Sequence, residues 1–384
     1  MKNILAIIFL FNTTITCYGQ TSATLISATK LDSLIKTVRE FSGEDSCLVG
    51  GSKVKIINRV SSTGNDLAGD YLVERLNKIG VTVTDEVYSA KGRNVYGKQI
   101  GSTHSDSLVI IGCHYDAVAD YCADDNASGV GILLEAARIL RKYQFNKTIV
   151  YAFWDEEETG LVGSKHHALQ VNNGSDKIVA VLNIDMAAYD GNNDGAFDID
   201  LNSNQGSVKM KNDLIAIDQA NNLNIAPKVV QPGTLDSDHS SFWNYGYPGV
   251  LLGESWETND QNPKYHTAQD RISLFNLPYY HEIAKLAIAY IGQTAEPVSG
   301  VSTGKYIAED VTTYFNPVTS NLLVTTQENS TVKLFDLKGQ LLMHQQLGSG
   351  QNEIDLNSLP QGMYLLNLYF ETTGITRGKK IIKR

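Results

Sequence analysis

The chain has no apolar run long enough to cross a membrane. Its most apolar stretch, 4–11, falls well short of the ~20 residues a bilayer span needs. Positive charge is also short: 32 Lys and Arg stand against 42 Asp and Glu, a net charge of −10. The last 73 residues are +2 and the first twenty +1, so residues 21–311 carry −13. Binding to a phosphate backbone needs a basic face, so nucleic acid is excluded as a partner. Cysteine is scarce, with four in 384 residues.

Residues 1–20 read as a secretory signal. Lys2 is the charged start, 4–11 the apolar core, and Cys17-Tyr-Gly19 a small-residue cleavage site. Lipidation at Cys17 is the alternative, but Thr14-Ile-Thr16 fits a lipoprotein box poorly. Export leaves Cys47, Cys113 and Cys122 where disulfides are permitted. Cys113 and Cys122 lie nine positions apart. Either a bridge bracing that loop or two unpaired thiols fits the spacing, and Cys47 is then odd and buried.

Periodicity predicts helices over 31–41, 64–79, 126–143, 160–171, 208–222, 240–245 and 277–291. It predicts strands over 81–87, 94–100, 107–113, 147–154, 178–186, 226–230 and 249–252. The runs at 108–111, 149–154 and 178–182 are continuously apolar, as strands covered on both faces are. Such strands alternating with helices imply a three-layer αβα sandwich around a mostly parallel mixed sheet. Ligands in such sheets bind beyond the carboxyl ends of the strands. The segments 190–200 and 252–264 read as loops shaping a pocket there.

The composition shifts at 294–311, a Gly/Ser/Pro/Val linker. Residues 312–384 then show short alternating runs at 322–325, 332–336, 341–344 and 363–369. This is a small all-β sandwich without a His/carboxylate cluster. The expected layout is signal 1–20, catalytic domain 21–293, linker 294–311 and tail domain 312–384.

The chemistry gathers at strand ends. The apolar run 149–154 stops abruptly at Asp155-Glu-Glu-Glu158. Four adjacent carboxylates there need water or a positive partner. His114 ends a second apolar strand and Asp185 a third. Asp125 opens a helix, where a plain N-cap is the ordinary role. His266 lies in a loop before the last helix. Two imidazoles and three carboxylates form a mixed N/O set suited to zinc. Five ligands are too many for one catalytic zinc, but suit two ions about 3.5–4 Å apart that share a carboxylate. Of the other histidines, His239 is either a pocket group or structural, and the structural role is favoured.

Together the runs resemble the secreted zinc exopeptidases of the bacterial leucyl aminopeptidase family. They are His114-Tyr-Asp116, Asp125-Asn-Ala-Ser-Gly129, Glu157-Glu-Thr-Gly-Leu-Val-Gly-Ser164, Asp185-Met186, Ser237-Asp-His-Ser-Ser-Phe242 with Gly246-Tyr-Pro248, and Tyr265-His-Thr267. The resemblance covers roughly 56–293 and implies two Zn²⁺ per chain. Asp125 would bridge the ions, Glu158 and His266 complete one site, and His114 and Asp185 the other. It implies hydrolysis of N-terminal residues through a hydroxide shared by the ions, with Glu157 as general base. Asp116 would orient His114, and Tyr265 is a candidate oxyanion donor. It also implies a cis peptide at Asp125–Asn126. Asp155 and Glu156 fall outside the family's pattern.

The tail runs Tyr314-Phe-Asn-Pro-Val318, Val332-Lys-Leu-Phe-Asp336 and Gly362-Met-Tyr-Leu-Leu366, with the basic end 379–384, resemble the C-terminal sorting domain of the type IX secretion system. That implies export to the medium or surface of a Gram-negative bacterium, with the secretion machinery as partner and a tail that is cleaved. The substrates would be peptides and the enzyme a monomer. A glutaminyl-peptide cyclotransferase of the same fold is the alternative, on Cys113-His-Tyr-Asp116. A carboxypeptidase or dipeptidase of the same family is another.

Overall fold

The computed structural model describes residues 18–384, apart from 61, 259, 299–310, 315–316, 327–328, 337–338 and 371–375. The expected signal therefore lies outside the described residues up to 17. The chain divides into two compact units on either side of the 299/300 boundary.

The first unit begins with α1 (Tyr18–Ala28), α2 (Leu31–Phe41) and a hairpin of β1 (Cys47–Val49) and β2 (Ser52–Val54). Then follow α3 (Ser62–Ile79), β3 (Thr82–Val87), β4 (Arg93–Gln99), β5 (His104–His114), α4 (Gly129–Leu140) and β6 (Lys147–Trp154). Next are α5 (Val162–Asn173), β7 (Lys177–Ile184), β8 (Ala196–Leu201) and α6 (Gln205–Asn221). β9 (Ala226–Val230), α7 (His239–Trp243), β10 (Gly249–Glu254) and α8 (Leu277–Thr294) complete it. The eight-stranded sheet has the order β3-β4-β6-β5-β7-β10-β8-β9. Strands β6, β5, β7 and β10 are parallel. β4 runs against β6, and β8 runs against β10.

Alternation within the apolar strands makes the three layers. Val109, Ile111 and Cys113 of β5 join a large core with residues of α2, α4 and α8. Leu108 and Ile110 face the other way, with Ala168 and Val171 of α5 and Phe242 of α7. In β6, Tyr151 and Phe153 take the first side and Val150 and Trp154 the second. With both faces covered, the buried stretches 108–111 and 149–154 of these strands are continuously apolar. α2 shows the complementary helical pattern, burying Leu34, Val38 and Phe41 one turn apart. Asn276 caps α8 by accepting the Tyr279 N–H at 3.3 Å.

Three local expectations change. The segment 196–201, read as loop, is strand β8. Phe197, Ile199 and Leu201 enter the core, while Asp198 and Asp200 point to the opposite face and are buried there too. Helix α4 starts at Gly129, because Asp125 (φ −102, ψ 92) and Asn126 (φ −130, ψ 45) are not helical and their peptide bond is cis. The N-cap role falls to Asn126, whose Oδ1 accepts the Gly129 N–H at 2.9 Å. Residues 295–298, assigned to the linker, are fastened to this unit. Phe145 pairs with Pro297, and the Asn146 N–H donates to Glu296 O at 2.8 Å.

The cysteine bridge is corrected: Cys47, Cys113 and Cys122 are free, buried thiols. Cys113 packs in β5 so close to Gly129 that a Cβ there would be 2.9 Å from the Cys113 Cβ. Cys122 instead donates its thiol to Ala119 O at 3.5 Å.

The second unit has strands β11 (Val311–Tyr314), β12 (Asn321–Thr326), β13 (Ser330–Phe335), β14 (Leu341–Leu347), β15 (Gly350–Asp355), β16 (Gly362–Phe370) and β17 (Thr376–Lys383). They form two antiparallel sheets, β11-β12-β15 and β14-β13-β16-β17, around one apolar cluster that includes Leu322, Val332, Ile354 and Leu366. β15 escapes the sequence pattern because it buries only Ile354.

Candidate metal centre

Adjacent parallel strands end together, and this gathers the site. β6, β5 and β7 lie side by side. His114 is the last residue of β5 and is level with Trp154, the last of β6. The acidic run follows Trp154 directly, and Asp185 directly follows β7. Gly112 makes the stacking possible, since a Cβ on it would lie 2.0 Å from the Trp154 ring. Asp125 reaches in from the non-helical turn before α4, and His266 from the loop after β10.

The expected ligands fall into two triads that share Asp125. In one, His114 Nε2 is 3.1 Å from Asp125 Oδ1 and 3.2 Å from Asp185 Oδ1. In the other, His266 Nε2 is 3.3 Å from Asp125 Oδ2 and 3.1 Å from Glu158 Oε2. The two oxygens of one carboxylate thus face different triads. Two ligands on a tetrahedral zinc, each bound at 2.0–2.1 Å, stand about 3.3 Å apart. The observed spacings match that value. Asp125 Oδ2 and Glu158 Oε1 are buried without a hydrogen-bond partner. The donor set and its orphaned atoms therefore fit zinc in both triads.

The electrostatics make the same demand. Burial pushes the Glu157 carboxyl up to about 10 and that of Glu158 to about 8. Burial acts on Asp125 too, but the His114 and His266 imidazoles hold it below the usual carboxylate range. His114 is fully buried, yet Asp185 and Glu157 drive its pKa well above the ordinary value. So many buried carboxyls beside two imidazoles need additional positive charge.

The acidic turn is shaped by its glycines. Gly163 allows close approach, because a Cβ would be 2.4 Å from both Asn94 Oδ1 and Asp155 O. Gly160 has open space around it and is required instead by its φ of +115. Non-glycine residues in the left-handed region also cluster here: Glu156, Leu161, Met186 and His266.

Residues 94–291 match the sequence pattern of Peptidase family M28, which takes in just over half of the chain. The chain belongs to Peptidase family M28. Residues 312–384 match the secretion system C-terminal sorting domain. A probable leucine aminopeptidase of Trichophyton verrucosum is 26% identical over 252 residues, 60% of this chain and 67% of that protein. Another, of Arthroderma benhamiae, is 26% identical over 201 residues, 49% of this chain and 54% of its own length. The M28 chain thus spans about half to two thirds of these curated relatives. A solved LapA aminopeptidase of Legionella pneumophila superposes with a TM-score of 0.61 at 21% identity, covering 77% of this chain and 78% of that one. A glutaminyl cyclase of Porphyromonas gingivalis gives 0.54 at 19%, covering 69% and 98%. At such identities these two structures bear on the fold alone.

The M28 site includes residues to which the sequence reading gave no role in it. Arg59 is buried and donates to the carbonyls of Tyr121 (2.7 Å), Cys122 (2.8 Å) and Tyr115 (2.9 Å), tying both loops that flank the metal ligands. Asp270 accepts the N–H groups of Asp124 and Asp125 at 2.9 and 3.0 Å. Ser237 donates to Asp185 Oδ2 at 2.6 Å and accepts from Asn183 at 2.7 Å. Asp238 is fully buried, neither of its oxygens has a partner, and burial pushes it up to about 7. Asp155, read as flank, is a hub: it accepts from Asn65 (2.8 Å), Arg93 N (3.0 Å) and Glu156 N (2.8 Å). Arg59 carries no local pattern, whereas Ser237, Asp238 and Asp155 stand in runs that the sequence does show but to which it gives no such role.

Asp116 lies 3.4 Å from His114 Nδ1, and its oxygens accept the N–H groups of Glu157 and Glu158, each at 3.2 Å. Tyr265 stacks on His266 with ring centroids 3.6 Å apart. Its phenol lines the cavity, and burial keeps it protonated. His239 is buried, accepts no metal-site contact, and pairs with Thr234 O at 3.1 Å.

Proposed function

We propose that this M28 peptidase is a secreted di-zinc aminopeptidase that removes N-terminal residues from peptides. The observation that carries the reading is the shared Asp125 carboxylate, with one oxygen in each ligand triad. His114 and Asp185 would hold one ion, Glu158 and His266 the other. Zinc bound there would acidify a water and polarise the scissile carbonyl.

The protein groups divide the remaining work. Glu157 lies within ligand reach of His114 and Glu158 without belonging to either triad around Asp125. It takes the proton from the attacking water and delivers it to the leaving amine. Tyr265 donates a hydrogen bond from its phenol to the oxyanion of the tetrahedral intermediate. Asp116 holds the His114 ring and, through the backbone N–H groups, both glutamates. The tail is the address that takes the enzyme through the type IX route to the surface or medium and is then cleaved.

Purified enzyme should contain two zinc ions per chain and hydrolyse aminoacyl-nitroanilides. Phenanthroline should abolish that activity and zinc should restore it. Activity that persists after chelation would overturn the reading. Ring closure of an N-terminal glutaminyl peptide, with one zinc per chain, would favour the cyclotransferase. Release of C-terminal residues from a peptide library would favour a carboxypeptidase.

A further inference from the structure

A cavity of about 530 Å³ extends from the ligand triads along the carboxyl ends of the parallel β7 and β10 and onto the antiparallel β8. Its far side is formed by the face of β8 that the sequence left unread. Asp198 is level with Gly253, and Asp200 with Leu251, so both aspartates share the face on which those residues line the cavity. Gly253 is in turn next to the metal strand, where a Cβ would be 2.6 Å from Asp185 O. Asp200 therefore stands two strand spacings from β7, about 10 Å.

The two aspartates are not equivalent. Asp198 is saturated: it accepts from Glu257 N at 2.8 Å and Thr258 Oγ1 at 2.5 Å, pinning that loop. Asp200 accepts only from Thr234 N, through Oδ2 at 3.0 Å. Its Oδ1 is buried and has no partner, and the residue is 1% exposed. A buried orphan oxygen on a carboxyl costs free energy until a donor reaches it. Leu251, Leu235 and Trp256 supply apolar wall to the same cavity, while Asp236 and Glu257 add negative charge. The one lysine among the described lining residues, Lys165, donates to Gly160 O at 2.9 Å.

We propose that this cavity is a recognition pocket for a basic side chain, with Asp200 receiving its charged tip. The enzyme then prefers peptides beginning with lysine or arginine. Both residues combine an apolar stem with a cationic donor, which matches apolar walls ending in an acid. A leucine side chain would fill the same walls and leave the Asp200 oxygen unpaired. The proposal rests on the aminopeptidase reading and names its substrate class. Burial also pushes Asp200 up to about 6, so a bound ammonium would stabilise its charged form.

The test compares kcat/KM for aminoacyl-coumarin substrates with Lys, Arg, Leu, Met and Glu at the cleaved position, using zinc-loaded full-length enzyme. Lysyl and arginyl substrates should exceed leucyl by at least about tenfold, since a site built around a hydrogen bond rejects ligands that cannot make it. Asp200→Asn should lower the lysyl-to-leucyl ratio by a similar factor. Inhibition by free amino acids provides a check that needs no variant: L-lysine should inhibit at least about tenfold more strongly than L-norleucine, which has the same stem without the ammonium. A leucyl preference in the wild type, equal inhibition by lysine and norleucine, or an equal loss on both substrates in Asp200→Asn would overturn the pocket assignment alone. Failure to cleave any aminoacyl substrate would overturn the aminopeptidase reading with it.

Discussion

Among single residues, the four acidic positions after β6 share one sequence context and hold four different positions. Asp155 anchors the turn, Glu156 accepts from the Tyr88 hydroxyl at 3.1 Å, Glu157 stands free beside His114, and Glu158 completes a triad. The residue to test first is Glu157. Glu157→Gln keeps the shape and removes the proton acceptor. Turnover should fall about 10²–10⁴-fold, with zinc content and melting temperature nearly unchanged. A variant of wild-type activity would reassign the base. Asp116 acts one step back from the two ligand triads. Asp116→Asn should weaken zinc binding about 10–100-fold in a chelator competition, because the His114 ring loses its neighbouring carboxylate and one of the two glutamate N–H groups loses its acceptor. Unaltered zinc affinity would assign Asp116 a purely structural role.

Within the secondary-structure elements, the site depends on how strand ends are turned. The turn after β6 must reverse within a few residues and pack against Asn94 of β4, whose side chain donates to Gly163 O at 3.0 Å and accepts from Asp155 N at 3.1 Å. Gly163→Ala should therefore destabilise the enzyme by about 1–3 kcal/mol in denaturant unfolding and reduce activity, since the added methyl displaces the acidic turn. Stability equal to wild type would show that the turn yields at no cost. Helices α2 to α8 and the continuously apolar strands were legible in the sequence because their periods are local, whereas α1 begins inside the segment read as the signal. β8 was not. Its Phe-Asp-Ile-Asp-Leu pattern alternates as a strand should, but its aspartates resemble a loop until the cavity they line is in view.

For the whole molecule, stability and charge are coupled. His167 lies in the second core, where Trp154 Nε1 donates to its Nδ1 at 3.1 Å. Burial lowers its pKa to about 3. The unfolded chain takes up this proton near pH 6.5, so the folded state is favoured above that pH. As pH falls from about 6.5 towards 3, this group costs about 1.4 kcal/mol of stability per pH unit. Denaturant unfolding from pH 7 to 4.5 should show that loss, and His167→Gln should flatten the slope. An identical slope in the variant would refute the assignment. Acidic residues outnumber the single lysine among the cavity's described lining residues, a balance that favours the approach of cationic peptides.

The sequence by itself determined the layered α/β architecture with its all-β tail, and it marked the five residues that the structure gathers into two triads. Those follow from short-range periodicity and from carboxylates and imidazoles placed at strand ends, where an open sheet collects its ligands. Tertiary structure decided which oxygen of Asp125 faces which triad. It also left Cys113 and Cys122 unbridged, made Arg59 the tie between the loops after His114 and before Asp125, made Asp155 the anchor of the acidic turn, and placed Asp200 in the cavity wall with one oxygen unpaired. Each of these depends on groups far apart in the chain, such as Arg59 with Cys122 and Asp200 with Thr234, and on which of their hydrogen-bonding atoms remain unpaired after packing.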